Sequence, residues 1–158
     1  MGFPKSARRR AADALLQILQ SDPALRAGVR TWRVNEGRPD DKTPKTPATY
    51  PLLVWLPLEA AQGPTRLDDT CGTREAEAAF DFELYCLGTD QREVMDFSGA
   101  LEAALFPADG ARRAAVQAIL DASPILDGTV RVRGASGRQE AGPGLVWGAG
   151  SVGCTLQL

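Results

Sequence analysis

The sequence predicts an α+β fold: a mostly antiparallel sheet of four to five strands with helices packed on one face. Three observations carry this. Phe80, Phe82, Leu84 and Cys86 alternate with Asp81, Glu83 and Tyr85, the period-two pattern of a strand with one apolar and one wet face. After Gly88 the period turns helical, because Val94, Phe97, Leu101, Ala104 and Leu105 form one stripe at i, i+3, i+7, i+10 and i+11. Finally, helices and strands do not alternate regularly along the chain, as a doubly wound parallel sheet would require, so the helices gather on one side of the sheet.

In chain order, residues 6–20 form a first helix with Ala11, Leu15, Ile18 and Leu19 on its apolar stripe, broken by Asp22-Pro23. PALRAG, 23–28, is a single helical turn with Pro23 in its first position and Gly28 as its stop, and VRTWRV, 29–34, alternates as a first strand. Residues 35–49 hold three prolines, abundant charge and no periodicity, which predicts a long polar loop. YPLLVWLPL, 50–58, is a near-continuous apolar run with prolines near its ends, a buried second strand that stops pairing at Pro57. Gly63-Pro64, Asp68, Asp69 and Gly72 make residues 59–75 an extended connection rather than a two-residue hairpin.

In the helix after the central strand, Asp90 and Glu93 have the spacing of a capping box, and Pro107 ends it. ARRAAVQAILDAS predicts a further helix with Ala115, Val116, Ile119 and Leu120 inward, and Pro124 follows its end. ILDGTVRVRG puts Val130 and Val132 on one face and Arg131 and Arg133 on the other, a fourth strand. ASGRQEAGPG, 135–144, reads as a flexible polar excursion, and LVWGAGSVGCTLQL as a terminal strand.

Composition narrows the chemistry. At 158 residues the chain suffices for one domain with a real core. With 18 basic and 20 acidic side chains it lacks the charge of a nucleic-acid binder, and Arg8 to Arg10 read as a solvated first helical turn. No apolar run approaches the roughly 18 residues of a spanning helix, so we expect a soluble protein with no membrane partner. The basic N-terminus runs into a stretch that contains Asp13 and has helical spacing, which is no export signal.

Cys71, Cys86 and Cys154 form no CxxC pair and are expected as free thiols in a reducing compartment. The absence of histidine removes Ser-His and Cys-His nucleophiles, an imidazole base and His-ligated metals. Asp40-Asp41 and Asp68-Asp69 read as solvated turns rather than cation sites. Gly142, Gly144, Gly148 and Gly150 precede neither Lys-Ser nor Lys-Thr nor a helix, so they make no phosphate loop. The expectation is no catalytic residue, no metal and no cofactor. Trp55 lies in an apolar run and belongs to the core; Trp32 and Trp147 have polar neighbours and suit an intersubunit contact as well as a core.

The helix ADALLQILQSDPAL, the strand YPLLVWLPL after its Pro-rich loop, and the segment AEAAFDFELYCLGTDQREVMDFSGALEAALF together resemble the tail terminator (tail completion) proteins of long-tailed bacteriophages and gene transfer agents. The resemblance covers most of the chain and implies a single tail-terminator-like domain over 1–158. It implies a homo-oligomer, a hexameric ring that caps the tail tube, stops its polymerisation and gives the head a docking surface. The implied partners are the tail tube protein and a head-completion or connector protein, with at most incidental contact to DNA passing through the ring. The implied location is the head-proximal end of the virion tail, after assembly in the host cytoplasm. A head-tail connector or neck protein of the same particle, and a protein-binding adaptor, stay open beside it; an enzyme is the remotest reading.

A ring subunit presents two different surfaces. We expect one on the long helix and the strand before it, and the other on the 35–49 loop with the first strand, so that Arg30, Trp32 and Arg33 meet Asp81 and Glu83 of a neighbour. Trp147 and the 134–144 loop are further contact candidates.

Overall fold

The computed structural model describes residues 2–56, 67–70, 73–142 and 144–158; at 67–70, 73 and 136–142 the description is of the backbone. Helix α1 (Ala7–Ser21) starts where the Ser6 hydroxyl accepts from the Arg9 N–H and stops at Asp22. The Asp22 carboxylate then caps α2 (Pro23–Gly28) by accepting from the Leu25 N–H, with Pro23 at the first helical position. Strands β1 (Thr31–Val34), β2 (Leu52–Trp55), β3 (Leu67–Thr70) and β4 (Thr73–Leu87) follow, then α3 (Arg92–Leu105), α4 (Gly110–Asp121), β5 (Arg131–Gly142) and β6 (Leu145–Gln157).

The sheet runs β1-β2-β4-β6-β5, with the short β3 paired to the start of β4. Only β1 and β2 are parallel; the other pairs are antiparallel. This is the α+β class expected. Helices cover one face. Phe80, Phe82, Leu84 and Cys86 of β4, Leu53 and Trp55 of β2, and Val146, Val152, Cys154 and Leu156 of β6 share a core with Leu15, Ile18 and Leu19 of α1. The α3 stripe of Val94, Phe97, Leu101, Ala104 and Leu105 is buried in the same core.

Helix α3 is also tied to β5 by a polar contact. The strand register shifts between Arg133 and Ser136, and there the Ser98 hydroxyl accepts from the Ala135 N–H at 2.9 Å. The shift needs small residues. A Cβ at Gly134 would come within 2.9 Å of Ser98 Oγ, and one at Gly150 within 2.5 Å of both the Arg133 carbonyl and the Phe82 ring.

Several expectations are corrected. Asp90 and Glu93 form no capping box: Gln91 holds the cap position with no side-chain capping bond to the helix, and the Asp90 carboxylate is taken by the Arg92 N–H and guanidinium. Residues 67–70 are not an extended connection but a strand, with Thr70 opposite Thr73 in an antiparallel pair. The 135–144 excursion is largely strand, since β5 runs on to Gly142 and pairs there with Leu145. On α4, Val116 is buried and Ile119 and Leu120 are half-buried, but Ala115 faces solvent. Pro57, Gly63-Pro64, Cys71 and Gly72, and the side chains of Asp68 and Asp69, lie outside the described residues.

Candidate functional site

The face of the sheet opposite the helices divides into a covered half and an open half. Over the covered half, Tyr50, Leu52, Val54, Tyr85 and Leu145 form a second, smaller core with Leu87 and Trp147 at its edge. Odd-numbered β4 residues point to this side, so the alternation is as expected, but the side is not wet. Glu83 is 4% and Tyr85 4% exposed. A buried carboxylate needs partners, and the 35–49 loop supplies one. Arg38 Nε donates to both Glu83 oxygens at 2.8 Å, and the Tyr85 hydroxyl donates to Glu83 Oε1 at 2.8 Å.

The loop is itself braced from the first strand. The Arg33 guanidinium donates to the Gly37 and Arg38 carbonyls at 3.0 and 3.1 Å and to the Thr43 hydroxyl at 3.2 Å. Thr31 Oγ1 donates to the Thr49 carbonyl at 2.7 Å. The Lys42 N–H and then the Thr43 hydroxyl hold the Asp40 carboxyl below its usual range. Burial, reinforced by the bond to Glu83, pushes the Tyr85 hydroxyl far above its ordinary value, so it stays a donor. Trp147 stacks on Tyr85 with ring centroids 5.9 Å apart. The Tyr50 hydroxyl is buried without a hydrogen-bond partner.

The open half lies over β4, β6 and β5. Register places Asp81 beside Ser151 and Ser151 beside Arg133, with Gly153 between Ala79 and Arg131. Glu77, Ala79, Arg131 and Arg133 are exposed there, and Asp81, Ala149 and Ser151 are partly so. The result is an acidic row on β4 and a basic row on β5, separated by small residues on β6. Burial raises the Asp81 carboxyl above its usual value, with Arg133 opposing the rise.

Of the six residues expected at an interface, Arg33 and Glu83 are engaged within the chain. Glu83 is turned under the loop and satisfied by Arg38 and Tyr85, so its carboxylate is not presented to a neighbour. Arg30 is exposed, Trp32 packs half-buried at the helix-side edge of the core, Asp81 borders the open half, and Trp147 borders the covered half. Arg38 was missed. Its position in a Pro-rich polar loop gave no sign that it returns to a strand residue 45 positions away.

Arg8 also departs from the solvated turn expected of it. It is half-buried, donates to the Ala79 carbonyl at 3.4 Å, and lies 5.8 Å from the Phe80 ring centroid. Arg9 and Arg10 are exposed. Trp55 is 1% exposed and belongs to the core. Cys86 and Cys154 are buried free thiols. Among the described residues no three potential His, Cys, Asp or Glu ligands cluster, and no helix is long and apolar enough to cross a membrane.

No family model matches this chain, and no curated protein matches it in sequence. Its fold is similar to that of the bacteriophage SPP1 gp17 protein, with a TM-score of 0.51 and 19% identity over 96% of this chain and 92% of that one. A chain from the virion of a native gene transfer agent particle superimposes with a TM-score of 0.38 and 12% identity, over 93% of this chain and 94% of that one.

Proposed function

We propose that this protein is a structural component of a tailed bacteriophage or gene-transfer-agent particle, a tail terminator whose subunits close into a hexameric ring on the end of the tail tube. The observation that carries the reading is the sheet with two unlike outer edges. Edge strand β1 is short and joined to its neighbour in parallel, whereas edge strand β5 is long, antiparallel and carries Arg131 and Arg133. Unlike edges suit head-to-tail association, the kind that closes into rings when the rotation per subunit fits. Strand edges are also ready sites for pairing with another chain. The likeness of fold to a bacteriophage protein and the resemblance in the sequence support the same reading.

Function here is geometric. The ring ends tube growth, presents a surface to the head and needs no catalytic group. Arg30, Trp32, Asp81 and Trp147 belong to the contact surfaces, together with the open acidic and basic rows. The experiment is electron microscopy of particles lacking the gene, paired with sedimentation of the purified chain with and without tail tube. Overlong tails and a ring-sized species are expected. Tails of normal length without heads would instead assign a connector, and a chain that stays monomeric with tube present is no terminator.

A further inference from the structure

An apolar cavity of about 250 Å³ opens between α2 and α3. Leu25, Val29, Cys86 and Phe97 line it, and Glu93 and Asp96 stand exposed on its rim. At the far end of α1, residues 2–6 form neither helix nor strand, and Phe3 is 101% exposed. A fully hydrated aromatic side chain and an apolar cavity are each unfavourable alone. Apolar cavities of about 150 Å³ already hold one benzene ring, so this one has room for Phe3. The charges also match, because Lys5, Arg9 and Arg10 follow Phe3 and the rim is acidic.

Phe3 does not reach the cavity of its own chain. The 15 residues of α1 extend about 22 Å at 1.5 Å per residue, and the α2 residues that line the cavity follow the helix's C-terminal end, whereas Phe3 precedes its N-terminal end. The four steps from Phe3 to Ala7 span at most about 14 Å. Among the described residues Lys5 pairs with Asp13 at 3.0 Å, an exposed contact of the kind worth little and easily exchanged. We propose that the arm of one copy docks in the α2–α3 cavity of the next, with Phe3 in the cavity and Lys5 at Glu93 and Asp96. Arm and cavity are different surfaces, so the contact is head-to-tail and supplies a joint for the proposed ring, on which only the count of copies rests.

The test places the photoreactive p-benzoylphenylalanine at position 3 of the full chain, mixes light and heavy isotope-labelled copies, irradiates them, and maps the cross-links by mass spectrometry. Cross-links from position 3 of one copy to residues 24–29 or 93–100 of another are expected. Phe3→Ala and the surface variant Asp96→Lys should each weaken self-association about tenfold in sedimentation. Cross-links confined to one chain or landing elsewhere, or undiminished association of Phe3→Ala, overturn the docking. If Phe3→Ala still forms rings, the terminator reading stands without the arm; if arm-to-cavity links occur in species that never exceed a dimer, the arm stands and the ring falls. A chain that stays monomeric and gives no link between copies, with tail tube present as well as without, overturns both.

Discussion

Arg38 Nε lies 2.8 Å from each carboxylate oxygen of Glu83, which joins the middle of a long polar loop to the centre of the sheet. The Glu83 side chain is 5% exposed and that of Arg38 37%, so the carboxylate bears most of the desolvation. Removing Arg38 leaves a buried charge with only the Tyr85 hydroxyl to answer it. We expect Arg38→Ala to cost about 2 kcal/mol, below the cost of breaking a fully buried pair because the guanidinium is partly hydrated. Urea melts of Arg38→Ala, Glu83→Gln and the double variant measure the coupling; strictly additive losses would show that the pair does nothing for the loop.

Phe82 is fully buried between the sheet and the helices. Phe82→Ala should lose about 3–5 kcal/mol in a denaturant melt. Gly150→Ala should lose about 1–3 kcal/mol despite adding one methyl group, because that methyl meets a fixed carbonyl and the Phe82 ring. A neutral Gly150→Ala would mean that β5 yields at this point.

Ser98→Ala removes the acceptor of the buried Ala135 N–H while keeping the helix propensity of α3. The expected loss is about 1–3 kcal/mol, the cost of an orphaned donor. Hydrogen exchange at Ala135 should rise by more than exchange elsewhere in β5, which separates this local loss from global destabilisation.

Asp81 sets a pH dependence whose sign follows from its raised pKa. The folded state holds this proton more tightly than the unfolded chain does. Its contribution therefore favours folding below the ordinary carboxylate pKa and is lost as pH rises through the raised value. Asp81→Asn should stabilise the fold slightly at neutral pH and do little at about pH 3, where the carboxyl is protonated in both states. Thermal melts at the two pH values check this, and an equal effect at both would refute the assignment.

Burial pushes the Cys86 thiol up to about 12 and the Cys154 thiol up to about 11. The thiolate is the reactive form, so both should resist a thiol reagent at about pH 8 in the folded protein and react on denaturation, when three groups should titrate in all. Fast labelling of either buried thiol without denaturant contradicts the packing.

The sequence disclosed the elements whose patterns were strong and whose burial was one-sided. The α1 and α3 stripes and the even-numbered face of β4 lie where their spacing put them. The odd-numbered face misled, because alternation tells which residues share a side and not what covers that side. Glu83 and Tyr85 looked solvated until a loop with no periodicity of its own folded over them. Three of the four residues of β3 and all of the outer part of β5 are polar or small, and a strand of that composition reads like a loop. Arg33 looked like a surface cation because two of its three acceptors, the Gly37 and Arg38 carbonyls, are backbone groups, which carry no residue-type signature.

The sheet order also bears on how the protein comes off the ribosome. Strand β6 lies between β4 and β5, yet residues 145–157 are synthesised after every other described strand. Glu75 pairs with Gln157 and Leu87 with Leu145, so these contacts join distant parts of the chain and make for slow folding. Translation at about 5–20 residues per second keeps Phe80, Phe82 and Leu84 without their β6 neighbour for several seconds. The nascent chain carries an open strand flank throughout that interval, so the yield of folded protein depends on what shields β4 until β6 arrives.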